Sequence, residues 1–592
     1  MRAKLARSGS VSRQREDSIE KNEWKVDIQR IIFEVMQAII DFVYTTEIVG
    51  KCSEILKGKS FQTSEYFPGK VTSVPDPNEV HKAKISASYP KTFGHPLMHA
   101  ERPARKPTGT YLAPGTIATV TVPLSLVGKG FAIRVGAHSW DLAGRPPVQR
   151  LDRVTELYDI VARQTQIASP LGGNIYIEVP FLADEGVVDV RIQNAVRAPY
   201  FSAKSFHATN LSDWRDIERK HGAPWADFQS EKFMMNVPTS WIYNLEDPVT
   251  LMQDWDLAMD AMNDLMGYPH LGGKETMYPQ VDVILRSSVH APGYPSVNSK
   301  YSPDHDYEGN ASSHLVKGPQ FAPDYEFHEQ EHAYLFVKYG GEMEPTVNLL
   351  HVAVWHQKFG FSLDEAFRAS RGSSNEFQTL DTTAITWMTV FNFSTLKAPM
   401  APAEKAYQLK GHAKFVDIAR LFGWEVLNDF WYSINEDYEN GIEWSKHGTP
   451  SDAITLRLSD KAKVDLRPLL HFWGIHPDDP SALAADIGAS NLPPSAKIYD
   501  ALAHYKSLVP KDNSAFQAFA MSWWGKQPSV NGYWTEREHA RQWDSTTYLD
   551  RWPEPARPNG EMYTEATAAD SRNRVQEIID LYFPKGRPEF EK

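Results

Sequence analysis

The feature that most constrains the fold is a change of sequence periodicity near residue 205. From about 109 to 205, short runs such as Ala118–Val127 alternate between apolar and polar residues, and glycine and proline turns separate them. Such alternation predicts strands with one buried face. After 205 the apolar residues recur at three- and four-residue steps, as in Asp247–Met266, which predicts helices. The chain is therefore predicted to be an α+β protein, with an N-terminal β-sandwich and a mainly helical remainder.

An amphipathic helix is predicted before the strands, over residues 24–49. Lys25 and Asp41 are among the charged residues that interrupt its apolar face, so we expect it to dock on the protein's own core rather than lie on or cross a membrane. Basic residues open the chain without a following apolar core, so no secretory signal is expected. The sequence leaves the cellular location uncertain.

Composition excludes several classes of function. The 592 residues include 62 Lys and Arg against 75 Asp and Glu, a net charge of −13. This diffuse acidity argues against nucleic acid and against anionic membranes as partners. Because Cys52 is the only cysteine, no internal disulfide can form, and a metal site must use His, Asp and Glu side chains.

Residues 328–332 read His-Glu-Gln-Glu-His, the HExxH pattern. On a helix, His328 and His332 lie on the same face one turn apart, so both imidazoles can bind one zinc ion. Glu329 lies next to the first ligand and can take a proton from a zinc-bound water. A catalytic zinc site usually has three protein ligands, so a further ligand is expected downstream.

Two downstream glutamates, Glu342 and Glu344, can supply the third ligand. The Gly340-Gly341 pair turns the chain after the first helix, and Pro345 suits the first turn of a second helix. Glu344 would then stand at the start of that helix. His₂Glu is an established ligand set for hydrolytic zinc.

Other histidines are weaker candidates. His290, His305 and His314 are each more typical of surface or core residues than of ligands. The triplet 304–306 (Asp-His-Asp) suggests calcium, but the EF-hand pattern is absent. The sequence contains no phosphate-binding loop and no evident G-x-S-x-G nucleophile elbow, so nucleotide enzymes and serine hydrolases have no positive support.

The order of these motifs resembles the enhancin-like zinc metallopeptidases, family sixty of the metallopeptidases. Members carry HExxH and then a glutamate four residues before an asparagine, which selects Glu344 and Asn348 here. Further similar segments occur in the same order, from the N-terminal β-region to the helical part: Tyr111–Gly115, Ile133–His138, Ile167–Tyr176, His290–Pro295, Leu421–Glu425 and Asp465–Ile475. The resemblance covers about residues 109–480.

This resemblance implies a gluzincin-like catalytic domain behind the β-sandwich and hydrolysis of peptide bonds, with mucin-type O-glycosylated proteins as substrates of several members. It implies that His328, His332 and Glu344 hold zinc and that Glu329 is the general base and then acid. It also suggests oxyanion stabilisation for Tyr294, for which packing in a turn is an equal alternative, and positioning of the second helix for Asn348.

The pattern along the chain, together with the resemblance, predicts five segments: an N-terminal extension, a β-sandwich domain, a catalytic domain, a helical subdomain and a tryptophan-rich tail with a final helix. Their predicted ranges are 1–108, 109–205, 206–400, 401–512 and 513–592. The expected partners are protein or glycoprotein substrates, with glycans as a further candidate. The alternatives are a non-catalytic glycoprotein-binding protein, using the sandwich and the tail, and a zinc hydrolase of another amide.

Overall fold

A computed structural model describes most of the chain. The described residues are 28–94, 102–142, 150–268, 277–283, 289–290, 294–299, 313–335, 343–370, 379–389, 391–400, 411–442, 451–524 and 563–589.

The strands lie in the first half of the chain, as the change of periodicity predicts. They are β1 (Val80–Ser88), β2 (Ala104–Leu112), β3 (Ile117–Thr121), β4 (Ala132–Val135), β5 (Glu156–Asp159), β6 (Gln164–Ala168), β7 (Gly173–Val179), β8 (Asp184–Gln193), β9 (Val196–Arg197), β10 (Tyr200–Ser202), β11 (Trp225–Gln229), β12 (Met234–Pro238), β13 (Pro279–Asp282), β14 (Val289–His290) and β15 (Ser296–Ser299).

In the described part of the chain, two helices precede the strands and most of the others follow them. They are α1 (Ile28–Val43), α2 (Thr46–Leu56), α3 (Leu211–Asp216), α4 (Pro248–Leu265), α5 (His314–Lys317), α6 (Asp324–Leu335), α7 (Met343–Lys358), α8 (Leu363–Ala369), α9 (Leu380–Met388), α10 (Phe391–Ser394), α11 (Ala413–Phe422), α12 (Glu425–Glu439), α13 (Ser451–Ala462), α14 (Arg467–Phe472), α15 (Pro480–Ala489), α16 (Ala496–Leu508), α17 (Asn513–Trp524) and α18 (Glu565–Tyr582). The α+β order of strands and then helices is confirmed.

Two antiparallel sheets share one hydrophobic core in the N-terminal region. One sheet has the strand order β1-β8-β3-β6, and the other has the order β5-β4-β7-β2-β9. Ile85 and Ile192 from the first sheet meet Ile133 and Ile177 from the second in a single buried cluster. Two sheets that bury their inner faces against each other form a sandwich.

The sandwich begins earlier than expected. We expected an irregular stretch up to about residue 108, but β1 occupies Val80–Ser88 and β2 begins at Ala104. That expectation is wrong for β1 because its inward residues are mostly small. They alternate in burial with polar residues, but alanine and histidine give a weak hydrophobic signal.

The described residues divide into two compact units. The first contains residues up to Met259 together with those of 270–322, and the second contains 260–269 and the residues from Pro323 onward.

A third, mixed sheet in the first unit has the order β10-β11-β12-β13-β15-β14. Asp227 on β11 is fully buried and accepts hydrogen bonds from Asn174 Nδ2, Tyr176 OH and Asn236 Nδ2 at 2.8–2.9 Å. Burial raises the pKa of this carboxyl to about 6, while the three donors oppose the shift. Asn174 and Tyr176 lie on β7, so the network joins the sandwich to the third sheet.

The helices of the second unit surround another buried carboxylate, Asp417 on α11. It accepts hydrogen bonds from Trp473 Nε1 at 2.9 Å and Tyr505 OH at 2.8 Å, and it pairs with Arg420 at 2.7 Å. These partners come from α11, from the residue after α14 and from α16, so one acid holds three segments together. The final helix expected in the tail lies at Glu565–Tyr582. Among the residues that the structure describes, no helix is long and apolar enough to cross a membrane.

Candidate metal centre

The candidate metal centre is built on the paired helices α6 and α7 of the second unit. The HExxH residues lie in the middle of α6, as the helical spacing requires. Helix α7 begins at Met343, and Pro345 lies in its first turn. Since proline has no backbone N–H to satisfy, it suits the start of a helix.

The structure brings three of the predicted residues together. One ligand atom from each of His328, Glu329 and His332 lies within 4.8 Å of the others. The Nε2 atoms of the two histidines are 3.2 Å apart, and the rings are nearly perpendicular at 88°. The two imidazoles therefore direct their Nε2 atoms towards one point.

This arrangement fits a tetrahedral metal ion. Two nitrogens bound to zinc at about 2.0–2.1 Å in tetrahedral geometry stand roughly 3.3 Å apart. The observed Nε2–Nε2 separation of 3.2 Å agrees with that value. Two neutral imidazoles with both Nε2 lone pairs turned inward would repel each other, so the pair needs a proton or a cation between them.

Asn348 on α7 sets the orientation of the first histidine. Its Oδ1 lies 2.9 Å from His328 Nδ1. When Nδ1–H donates to this oxygen, Nε2 is left as the unprotonated nitrogen, which is the form that binds a metal. The positioning role expected for Asn348 therefore has a direct contact, and the contact joins the two helices at the candidate centre.

Burial around the centre is unusually complete for polar side chains. His328 is 8% exposed and His332 is 7% exposed, while Glu326 and Gln330 are fully buried. Gln330 Nε2 donates a hydrogen bond to Glu326 Oε1 at 2.6 Å. These two residues lie on a different face of α6 from His328 and His332. Glu329 is only half-buried, so its carboxylate retains access to solvent.

The structure adds a residue that the sequence analysis missed. His351 is 1% exposed, and its ring contacts Phe327 at 5.2 Å and Trp355 at 4.6 Å between centroids. Burial lowers the pKa of His351 to about 3, so the ring is neutral and packs as an aromatic spacer between α6 and α7. No pattern in the sequence distinguishes this histidine from its apolar neighbours in α7.

Glu344, the predicted third ligand, lies in the first turn of α7. Its side chain is outside the described part of the structure. It precedes Asn348 by four residues, so the two positions share one face of the helix. Glu342, the alternative, is outside the described residues.

The other predicted candidates belong to the first unit or are outside the described residues. In the first unit, the hydroxyl of Tyr294 accepts a hydrogen bond from the Arg105 backbone N–H at 2.6 Å, in a buried cluster with Met234 and Tyr278. This contact gives Tyr294 a packing role. His314 is buried in α5 of the first unit. The side chain of His290 and all of residues 304–306 are outside the described residues.

Comparison with known families assigns two consecutive regions. Residues 79–193 match the N-terminal domain of M60-like peptidases, and residues 194–474 match peptidase M60, enhancin and enhancin-like. The second match includes both candidate helices, α6 and α7.

Named relatives match only part of this chain. A TRPM8 channel-associated factor homolog from Danio rerio is 30% identical over 205 residues, covering 33% of this chain and 22% of that protein. TRPM8 channel-associated factor 2 from Homo sapiens is 23% identical over 385 residues, covering 62% of this chain and 37% of that protein. The chain thus spans about a fifth to two fifths of the length of these relatives.

Solved structures share the fold at low sequence identity. A functionally unknown conserved protein from Bacillus anthracis has a TM-score of 0.52 at 16% identity, with coverage of 70% of this chain and 79% of that one. The M60 catalytic domain of Clostridium perfringens ZmpC, in complex with the sialyl T antigen, has a TM-score of 0.50 at 13% identity, with coverage of 70% and 81%.

Proposed function

Because the chain belongs to the enhancin-like M60 peptidases, we propose that it is a zinc-dependent endopeptidase with a gluzincin-like arrangement of the catalytic helices. The proposed ligands are His328, His332 and Glu344, and the proposed general base is Glu329. The predicted range 206–400 contains all four residues, and we propose it as the catalytic domain.

The observation that carries the proposal is the convergence of the two histidine Nε2 atoms at 3.2 Å, with Glu329 beside them. A merely exposed charged helix face would spread these side chains apart. Here both rings are buried, and Asn348 Oδ1 orients the ring of His328 through its Nδ1 atom. This is the arrangement expected of a metal ligand supported by a second residue.

The chemistry of the site then follows from the positions of its side chains. When bound, zinc acts as a Lewis acid on the scissile carbonyl and makes water nucleophilic at neutral pH. Glu329 takes the proton of the attacking water and gives it to the leaving amine nitrogen. Glu329 is only partly buried, whereas both histidine side chains are buried.

We propose proteins with mucin-type O-glycans as the substrates. The support is fold similarity to the ZmpC catalytic domain, whose structure was solved with the sialyl T antigen. We infer that the bond cleaved is a peptide bond, with the glycan contributing to recognition.

The direct test is mass spectrometry of an O-glycosylated mucin after incubation with the purified chain. New peptide termini should form, and a chelator should abolish them. Glu329→Gln should retain zinc and lose roughly 10²–10⁴-fold in cleavage rate, since only the proton acceptor is removed. Full cleavage by a pure, zinc-loaded Glu329→Gln variant would refute the role of Glu329. Products cut at a non-peptide amide would favour another zinc hydrolase.

A second candidate function is non-catalytic binding of a protein partner. The observation that favours it is similarity to TRPM8 channel-associated factors, whose names describe association with a channel. A binding function predicts that the mucin substrate stays intact and that a chelator does not change the binding of the partner. The retained HExxH motif favours catalysis, because binding alone requires neither Glu329 nor paired imidazoles.

A further inference from the structure

The outer face of the first sandwich sheet carries a row of polar side chains across all four strands. The strand order is β1-β8-β3-β6. The pairing sets Lys82 opposite Arg191, which in turn lies opposite Thr121, and Thr121 lies opposite Gln164. We call these four residues the cross-strand row. Side chains alternate between the two faces of a strand, and Ile192 beside Arg191 is buried in the sandwich core, so the row faces outward.

Two positive charges stand directly opposite each other in this row. Lys82 and Arg191 are exposed, and neither side chain has an ion pair or hydrogen bond within the part of the chain that the structure describes. Like charges directly opposite on a sheet are destabilising. The next pair along the same strands, Lys84 and Asp189, has the opposite charges that avoid this repulsion. The row therefore keeps a repulsion that one substitution would remove.

Protection of the sheet edge explains only one of the two charges. β1 is an edge strand, and lysines on edge strands hinder pairing with another chain. Arg191 lies on β8, which pairs with β1 on one side and β3 on the other, so it has no edge to protect. Natural chains break local rules mainly at functional sites. An anion bound between Lys82 and Arg191 would replace their repulsion with two attractions.

The dimensions of the row favour a small anion. With strands about 4.8 Å apart, the four side chains span about 14 Å. Charges are screened over about 8 Å at physiological ionic strength, so distant acids have little effect on a ligand that stays within the row. A polyanion or an anionic membrane would extend beyond the row and meet a protein whose net charge is −13.

The neutral members of the row favour a sugar. Thr121 and Gln164 carry hydroxyl and amide groups, which both donate and accept hydrogen bonds. The neighbouring cross-strand positions on the same face, Gln193, Thr119 and Gln166, repeat this chemistry about 7 Å away. An arginine guanidinium can bind a carboxylate through two parallel hydrogen bonds. A ligand with one carboxylate and several hydroxyl and amide groups therefore matches this face.

We propose that the cross-strand row binds the carboxylate-bearing terminal sugar of a glycan. The carboxylate lies between Lys82 and Arg191, and the hydroxyl and amide groups of the sugar lie over Thr121 and Gln164. The site involves neither a metal ion nor Glu329. Where the glycan belongs to a protein that the chain cleaves, the row holds the substrate at a second position. That consequence rests on the proposed function, whereas binding of the sugar does not.

Calorimetric titration of the purified full chain with 3′-sialyllactose tests the binding. The wild type should bind 3′-sialyllactose and discriminate against lactose, which lacks the carboxylate. Lys82→Gln/Arg191→Gln should weaken binding roughly ten- to a hundredfold, because it removes the hydrogen bonds to the charged group. Lys57→Gln/Arg102→Gln is the matched control, since it removes two exposed charges outside this sheet. Equal binding of the two sugars by the wild type, or equal loss in both variants, would overturn the proposal.

Arg191→Glu separates binding from sheet stability. It sets opposite charges across the β1–β8 pair, so it should raise the thermal unfolding temperature while it abolishes binding of 3′-sialyllactose. A lower unfolding temperature would make Arg191 a residue that stabilises the sheet and would overturn the proposal. Tighter binding of a heparin oligosaccharide than of 3′-sialyllactose, lost in Lys82→Gln/Arg191→Gln, would assign the row to a polyanion and overturn it as well.

Cleavage of a mucin before and after removal of its terminal acidic sugars tests the link to the substrate. For the wild type these sugars should lower KM and leave kcat unchanged, and Lys82→Gln/Arg191→Gln should lose the difference in KM. Equal KM values for the two mucins with the wild type would contradict the link. If neither mucin is cleaved, the proposed function fails, and the titrations still decide whether the row binds the sugar.

Discussion

Helices α6 and α1 both depart from the usual separation of polar and apolar faces, and they do so in opposite directions. α6 is buried although four of its inward side chains are polar: Glu326, His328, Gln330 and His332. α1 buries the polar Gln37 and leaves the apolar Ile31, Val35 and Phe42 exposed to solvent. In α6 the Nε2 atoms of His328 and His332 converge on one point, whereas in α1 the exposed apolar residues form a line.

The difference shows that a break in local pattern has to be interpreted through its geometry. Buried polar groups cost free energy unless they are hydrogen-bonded or bind an ion. Exposed apolar groups cost little singly, but a contiguous line of them indicates a binding surface. Natural chains break local rules mainly at functional sites, and the convergence of the two histidines in α6 indicates a bound ion.

The strongest test of this comparison removes a ligand from α6. His332→Ala and Glu344→Ala should each lose bound zinc and cleavage activity. The loss should exceed the roughly 10–100-fold effect typical of residues that only support a ligand. Glu342→Ala is the matched control and should keep both properties. Zinc content by mass spectrometry of the metal and cleavage of mucin measure the result. Zinc loss in Glu342→Ala, with retention in Glu344→Ala, would exchange the two assignments.

A smaller effect on zinc binding is expected from Asn348, which contacts the proposed ligand His328. Asn348→Leu removes the oxygen that receives His328 Nδ1–H and should weaken zinc binding by roughly 10–100-fold. Asn348→Asp keeps an acceptor and should rescue the affinity. Competition against a chelator measures zinc binding, and thermal unfolding of the apo protein is the control. Equal destabilisation of the apo fold by both variants, with unchanged zinc affinity, would reduce Asn348 to a packing residue.

Within α1, the buried polar side chain should matter more for stability than the exposed apolar one. Gln37→Ala removes three hydrogen bonds, to Asp41 and to both backbone groups of Arg153. It should lower the free energy of unfolding by about 1–3 kcal/mol. Ile31→Gln should change it by no more than about 0.5 kcal/mol. Urea unfolding at low protein concentration compares the two, and the reverse ranking would contradict the inward orientation of Gln37.

A further effect, which depends on pH, concerns a buried acid close to α1. Glu156 on β5 is 3% exposed, and burial raises its pKa well above the usual value. The folded state keeps the proton where the unfolded state has lost it, so stability falls as pH rises from about 4.5 towards the folded pKa. The slope is about 1.4 kcal/mol per pH unit in that window. Glu156→Gln should remove this slope because the amide does not titrate. The amide oxygen still accepts the hydrogen bond from Ser169 Oγ. Denaturant unfolding at several pH values measures the slope for the wild type and for Glu156→Gln. Parallel pH profiles of the unfolding free energy would contradict the prediction.

The sequence predicted the order of the fold well and its beginning less well. Alternation identified β3 and helical spacing identified α4, because these elements have clear periodic signals. The HExxH motif, rather than apolar periodicity, identified α6. It did not identify β1, whose inward residues are small and whose pairing partner, β8, is about a hundred residues away. Pairing over such a distance leaves little trace in a local pattern.

The candidate site was likewise predicted in part from the sequence. Spacing alone placed His328, Glu329 and His332 on one turn of helix, and the structure brings them together. His351 was not predicted, because a single histidine in an apolar run has no distinguishing pattern. Its role depends on Phe327 of the neighbouring helix, a contact that exists only after α6 and α7 pack.

The sequence by itself determined the family and the residue types available for a metal, since both depend on identity and spacing along the chain. The tertiary structure alone decided which side of α1 is buried, which oxygen orients His328, and that Tyr294 contacts the Arg105 backbone. The physical reason is that local periodicity reports contacts within one turn or one strand. Burial and hydrogen-bond partners depend on segments brought together from distant parts of the chain.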